Sequence, residues 1–190
     1  MDVGGTTTAA GLVDPGGAVL AHVETPTYGR GPGTALATLL DVAGAIEDVA
    51  RVRGLRPAGV GIGVPGTVDA VRGVVGADIH NAPDLAGAAL AAVVGERLRL
   101  PVFVDNDVNA LALGEWMFGQ GRGARSLVVL ALGTGVGGGL ILDGALCRSA
   151  GGFGGELGHM PINFDGRPCI WIPSVARPPS TASSSSSTTR

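Results

Sequence analysis

The stretch from Pro101 to Glu115 constrains the fold more than any other. It opens as a short apolar run of strand character and closes as a helix, with Val108, Leu111, Ala112 and Glu115 at helical spacing. A strand therefore hands over to a helix, and at the handover stand Asp105, Asn106 and Asp107. A helix start needs one side chain to cap its free N–H groups, and here there are three candidates. A spare carboxylate in the first turn feels the positive end of the helix dipole, which favours its ionised form. At a strand's carboxyl end, such a group is placed to take a proton from a ligand hydroxyl. Taken alone, the stretch is equally well explained as a helix that is merely well capped.

Two further stretches share a pattern. Met1 to Asp14 reads as the end of a strand, a Gly-Thr turn and a second strand, after which Pro15-Gly16-Gly17 turns into a third strand from Ala18 to Glu24. A first strand of two or three residues is too short for a sheet centre, so residues preceding Met1 are expected. Ser126 to Gly144 repeats the scheme: an apolar strand, a Gly/Thr turn, a glycine-spaced return strand, then Asp143-Gly144. The likeness implies an internally duplicated architecture in which two turns bare backbone amides toward two phosphates. Two ordinary glycine-turn hairpins account for either one alone. Residues 133–138 also fit G-x-G-x-x-G, but Leu140-Ile141-Leu142 after them is strand-like. The helix that a dinucleotide site requires is therefore absent, and that reading is rejected.

Between these units, Thr34 to Arg53 has helical composition, with Leu36, Leu39, Leu40, Ala43, Ile46 and Ala50 on one face. Val60 to Val68 reads as a buried strand broken at Pro65-Gly66, and Leu85 to Leu98 as a second amphipathic helix. Gly151 to Met160 is a glycine loop carrying Glu156 and His159, in which small residues let polar groups approach a ligand. In isolation, His159 is more simply a hydrogen-bonded structural histidine, and His22 and His80 have no assignment. All 13 basic residues are arginine, which excludes a P-loop lysine, a protein-kinase lysine and a Schiff base. A net charge of −3 argues against a nucleic-acid partner. The sequence shows neither a signal-peptide pattern nor an apolar span of membrane length. With Cys147 and Cys169 as its two cysteines, it points to a reducing, cytoplasmic location. From Ile170 to Arg190 the chain is Ser/Thr/Pro-rich and is expected to be disordered.

Five motifs in order resemble the ROK family (repressors, open reading frames, sugar kinases), most closely its bacterial glucokinase branch. They are Asp2-Val-Gly-Gly-Thr6, Gly61-Ile-Gly-Val-Pro-Gly-Thr-Val-Asp69, Asp105-Asn-Asp-Val-Asn109 with Glu115, Leu132-Gly-Thr-Gly-Val-Gly-Gly-Gly139, and Gly155-Glu-Leu-Gly-His159. The resemblance implies an α/β, actin-like (RNase H-like) ATPase fold. The N-terminal domain would span residues 1–120, the start of an incomplete second domain 121–169, and a tail outside the family pattern 170–190. It further implies transfer of the ATP γ-phosphoryl to a hexose hydroxyl. Asp107 matches the family's general base. Gly66, Asn81, Asn106, Glu156 and His159 match sugar contacts. Asp2, Gly4, Gly5 and Thr6 match a first phosphate loop with Asp2 near Mg²⁺, and Gly133, Thr134 and Gly135 match a second.

The resemblance also shows departures. The family's zinc site uses a His and three Cys; here His159 and Cys169 keep their positions, but Trp171 and Ala176 replace the other two Cys. Two ligands of four do not make a structural zinc site. Pro178 stands where the family has a sugar-binding Glu. The family's further C-terminal half, with its adenine contacts and much of its homo-oligomer interface, has no counterpart here. The abrupt change after Cys169 reads as a shifted reading frame, and the chain is expected to be an inactive or impaired fragment of weak stability. The alternative is a sugar-sensing regulator of the same family lacking its DNA-binding domain.

Overall fold

The computed structural model describes residues 1–77, 79, 81–133, 135–149, 152, 154–160 and 163. Met1–Gly158 forms one compact unit and His159–Arg190 a second. The expectations for Thr134 and Cys169, and for the tail from Ile170 onward, fall outside the described residues.

The first unit begins with β1 (Asp2–Val3), β2 (Thr7–Val13) and β3 (Val19–Pro26), followed by α1 (Ala35–Val52), β4 (Val60–Val64) and the short β5 (Val68–Asp69) and β6 (Val74–Val75). Next come α2 (Leu90–Leu98), β7 (Val102–Asn106), α3 (Asp107–Met117), β8 (Leu127–Leu132), β9 (Val136–Leu142) and β10 (Ala145–Leu146). Five strands form one sheet in the order β3-β2-β1-β4-β7; β1, β4 and β7 run parallel, and β2 and β3 are antiparallel. Contrary to expectation, two-residue β1 sits at the sheet centre. Its short ladder is extended by the Met1 amine donating to Gly61 O at 2.6 Å and by Gly63 N–H donating to Met1 O at 2.9 Å.

Alternation sorts the sheet into two faces. Val3, Ile62, Val64 and Val104 point into a core with Leu39 of α1 and Leu90 and Val94 of α2. Asp2, Gly63 and Asp105, aligned in register across β1, β4 and β7, point to the other face, where α3 packs. Expected helix 85–98 proves shorter. Pro83–Leu85 is a 3₁₀ turn, and Gly87 at φ 72° interrupts the chain before α2 begins at Leu90. Sequence reasoning also missed how α1 starts. Thr34 donates its hydroxyl to Gly31 O, while Asp84 accepts the Ala35 N–H at 2.8 Å and the Tyr28 hydroxyl at 2.7 Å, capping the helix from 49 residues away.

A second sheet, β10-β9-β8, repeats the first in miniature. β8 and β9 pair antiparallel around Gly133–Gly135 as β1 and β2 pair around Gly4–Thr6, and β10 follows β9 antiparallel as β3 follows β2. Helix α3 lies against both sheets. Val128, Leu130, Leu132, Val136 and Leu142 on β8 and β9 are exposed. None of the described helices is long and apolar enough to cross a membrane.

Candidate active site

At the junction of β7 and α3 the three polar residues divide their roles. Asn106 is the cap: its Oδ1 accepts the N–H groups of Val108 at 2.9 Å and Asn109 at 3.1 Å, and its Nδ2 donates to Gly66 O at 3.1 Å. The Pro65-Gly66 turn is thereby tied to the helix start. Asp105 is the anchor. Its Oδ1 accepts from Asn106 N at 2.9 Å and Asn109 Nδ2 at 3.0 Å, and its Oδ2 receives Nε and Nη2 of Arg148, each at 2.7 Å. Asp107, whose Oδ1 accepts the Val108 N–H at 2.9 Å, is the carboxylate committed to neither task. Of α3, Asn109 and Ala112 form the buried face, and Leu111 is exposed.

Burial pushes the Asp107 carboxyl above the ordinary aspartate range, and the charge of Asp2 pushes the same way against hydrogen bonds from Val108 and Asn106. Asp2 is itself raised by burial, opposed by the charge of the chain's amine. The helix dipole favours the ionised form of Asp107, but the net shift is upward because desolvation is the largest contribution. The result is a carboxylate with enhanced proton affinity at the mouth of the sheet. That property suits a general base better than that of an ordinary surface aspartate.

The first Gly/Thr turn is held from inside. Thr27, fully buried, donates its hydroxyl to Gly4 O at 2.6 Å and its N–H to Thr6 O at 2.9 Å. Its own oxygens contact Thr8 Oγ1 at 3.0 Å and accept from the Thr38 hydroxyl at 2.9 Å. With the Gly4 and Thr6 carbonyls held inward, the N–H groups of Gly5 and Thr6 have no backbone acceptor among the described residues. Asn81 lies against this turn, 3.1 Å from where a Cβ on Gly5 would stand. In the second turn Gly133 N–H donates to Gly135 O at 2.9 Å, and the space above both glycines is open. The glycines that follow serve a different purpose. A Cβ on Gly137 would stand 2.5 Å from Val108 Cγ2, and one on Gly139 2.6 Å from the Ala112 Cβ, so these residues seat β9 on α3. The second turn thus ends two residues before Gly137, which packs on Val108 in the first turn of the helix that carries Asp107.

The glycine loop before Glu156 grips β9 from its opposite face. Gly155, at φ 97°, leaves no room for a side chain at Gly138, and Gly152 abuts Val68 O. Gly154 N–H donates to Arg148 O at 2.9 Å. Glu156 is exposed. His159, in the second unit, ends the 3₁₀ turn Leu157–His159 and is exposed. Among the described residues no group of three or more His, Cys, Asp and Glu is arranged to hold a metal ion. His159 and Cys169 by themselves do not fit a tetrahedral zinc. Two surface cavities, of about 450 Å³ beside Trp116 and Arg125 and about 530 Å³ beside Arg30 and Asp41, include none of the candidate residues. Gly4, Gly66, Asn106 and Gly133 instead stand at or just beyond the carboxyl ends of β1, β4, β7 and β8.

Comparison with known proteins assigns the architecture. The family model described as "ROK family" matches residues 1–170. A glucokinase of Streptomyces coelicolor is 41% identical over 171 residues, covering 89% of this chain and 51% of the relative. The structure of a ROK family glucokinase from Streptomyces griseus in complex with glucose and AMPPNP superimposes with a TM-score of 0.70 at 37% identity, over 87% of this chain and 50% of that one. A ROK family transcriptional regulator, a homolog of the E. coli MLC protein, superimposes with a TM-score of 0.76 at 28% identity, over 90% of this chain and 42% of that one. The chain thus spans about half the length of the curated relatives it matches. Its mixed sheet and the hairpin repeat are those of the actin-like ATPase fold, and the chain belongs to the ROK family.

Proposed function

We propose that this chain carries the base-bearing and phosphate-binding part of a sugar kinase that transfers the ATP γ-phosphoryl to a hexose hydroxyl, with glucose the first substrate to test. The observation that carries the proposal is the Asp107 carboxylate, raised in proton affinity by burial and by Asp2, standing at the start of the helix on which β9 is seated. Regulators of the family share the fold, so the fold does not separate the two readings; the poised carboxylate favours the enzyme.

In this reading the sugar hydroxyl oxygen attacks the γ-phosphorus, the bond from that phosphorus to the β,γ-bridging oxygen breaks, and the hydroxyl proton passes to Asp107. ADP and the sugar phosphate leave. The Gly5 and Thr6 amides, freed from internal bonding, donate to phosphate oxygens, as does the open turn at Gly133–Gly135 together with Thr134. Asp2 presents a carboxylate that makes no hydrogen bond among the described residues, a donor that fits Mg²⁺. Bound there, Mg²⁺ would neutralise charge on the transferring phosphates. Gly66, Asn81, Asn106, Glu156 and His159 are the proposed sugar contacts. Of the Asn106 amide, Oδ1 is spent on the cap, one N–H on Gly66, and the group also donates toward the Asp107 carboxylate.

The reading carries a cytoplasmic location, a homo-oligomeric parent and the domain division 1–120, 121–169 and 170–190. A coupled ADP-release assay with glucose and its epimers tests it. ATP- and glucose-dependent ADP release that disappears in Asp107→Asn supports it. Release unaffected by that substitution, or none with any hexose and no hexose binding, overturns it.

A further inference from the structure

Arg148 takes no role in the proposed phosphoryl transfer, yet two separate contacts converge on it. Its guanidinium places Nε and Nη2 on Asp105 Oδ2, and its carbonyl accepts the Gly154 N–H, two residues before Glu156. We propose that Arg148 is a positioning residue that fixes the seat of Asp107 relative to the loop bearing Glu156. Its consequence for sugar affinity rests on the kinase reading; its geometry does not.

The force of the contact lies in what Asp105 holds in turn. With both Arg148 nitrogens on one oxygen, the other is left to accept from the Asn106 backbone and from Asn109 Nδ2. Asn109 is buried, and among the described residues its Oδ1 has no partner, so Asp105 supplies the one hydrogen bond its side chain makes there. Asn106 caps α3 and holds the Gly66 turn. Removing Arg148 leaves a largely buried carboxylate without its counter-charge, and the group relaxes toward water and away from Asn109. The first turn of α3, where Asp107 sits, then loses a restraint. At the same step Arg148, whose carbonyl holds the Gly154 N–H, loses its tether to β7. An exposed pair would do little of this. Arg125–Asp143 has the same chemistry, but its side chains are 85% and 80% exposed, against 43% and 15% for Arg148–Asp105.

Arg148→Met, Arg148→Lys and the control Arg125→Met, each compared with the unmodified chain, test the proposal through two readouts. The first is amide hydrogen exchange. Arg148→Met is expected to accelerate exchange at Val108, Asn109 and Gly154 by about tenfold, as for loss of one hydrogen bond, with α1 unchanged. Arg148→Lys, which keeps the charge but not the fork, gives a smaller acceleration at the same amides and serves alone if the Met variant fails to fold. Unchanged exchange at those amides, or equal acceleration in Arg125→Met, overturns the proposal. The second readout is calorimetric titration with glucose and, separately, AMPPNP. Glucose binding weakens by about tenfold in Arg148→Met, partly recovers in Arg148→Lys and stays constant in Arg125→Met, while AMPPNP affinity does not move. Unchanged glucose affinity in Arg148→Met overturns the link to the sugar. If the unmodified chain binds no glucose, the kinase reading fails and the exchange data alone decide the positioning role.

Discussion

Gly63 lies directly beneath Asp107: a Cβ placed on it would stand 3.2 Å from the Asp107 Cα and 3.6 Å from the Ala110 Cβ. The same glycine pairs with Asp2 on one side and Asp105 on the other. A residue without a side chain at this position lets the helix start settle onto the sheet and leaves no bulk between Asp2 and Asp107, whose charges interact.

Gly63→Val is therefore expected to lift the first turn of α3 off β4. Overpacking of this kind costs about 1–3 kcal/mol, read as a lower midpoint in urea at unchanged m-value. ADP release in the coupled assay should fall with it. A variant of native stability and activity would show that the close approach has no structural role.

Asp107→Asn separates function from stability. An aspartate whose folded-state pKa is raised favours the folded state most below its unfolded value, and that contribution is lost as pH rises through the folded one. At neutral pH the charged, desolvated carboxylate thus destabilises the fold. Its amide replacement is expected to raise Tm at pH 7, with the gain vanishing below the ordinary aspartate range of about 3.9. Phosphoryl transfer should drop by about 10²–10⁴-fold, the usual worth of a general base. A lower Tm at pH 7 would contradict the burial argument.

The pH profile of kcat/KM supplies a third expectation. Its acid limb reports the free base and should lie above the ordinary aspartate range. Asp2→Asn removes a charge that raises Asp107 and should move the limb toward lower pH. An unmoved limb would mean that another group sets it.

Glycines of the β8–β9 hairpin should behave in two classes. Gly139→Ala meets Ala112 and the Val108 carbonyl, so a loss of about 1–3 kcal/mol is expected in chemical denaturation. Gly135→Ala meets nothing within 4 Å and should stay within about 0.5 kcal/mol of the parent. It should nevertheless weaken AMPPNP binding, because the new methyl stands where a phosphate would approach. Equal stability losses in both would remove the distinction between packing and ligand glycines.

Thr27→Val keeps shape but strips the hydroxyl that holds Gly4 O and meets Thr8. Leaving those buried groups unpaired costs about 1–3 kcal/mol. The first Gly/Thr turn should loosen, with AMPPNP affinity falling while glucose affinity holds. Calorimetric titration of both ligands checks this.

Much of the scaffold was legible in the order of residues. Apolar spacing placed α1 within one residue at either end, the 60–68 strand broke where Pro65-Gly66 said it would, and two Gly/Thr turns announced two equivalent hairpins. These are local effects, set by backbone period and by glycine and proline torsions within a few residues. Less legible were the start of α2, displaced by the Gly87 break, and the central place of β1, which depends on partners rather than on length.

By itself, then, the sequence determined which elements form and brought three polar groups to one strand–helix junction. It did not decide which of them caps, which anchors and which stays available for chemistry. Tertiary structure decided that, through Arg148 reaching Asp105 from 43 residues away, Gly66 accepting from Asn106 across 40, and Asp84 capping α1 across 49. The physical reason is that a capping or ion-pairing side chain is chosen by the partner that burial brings within hydrogen-bond reach. That proximity exists only after the sheet has closed against its helices.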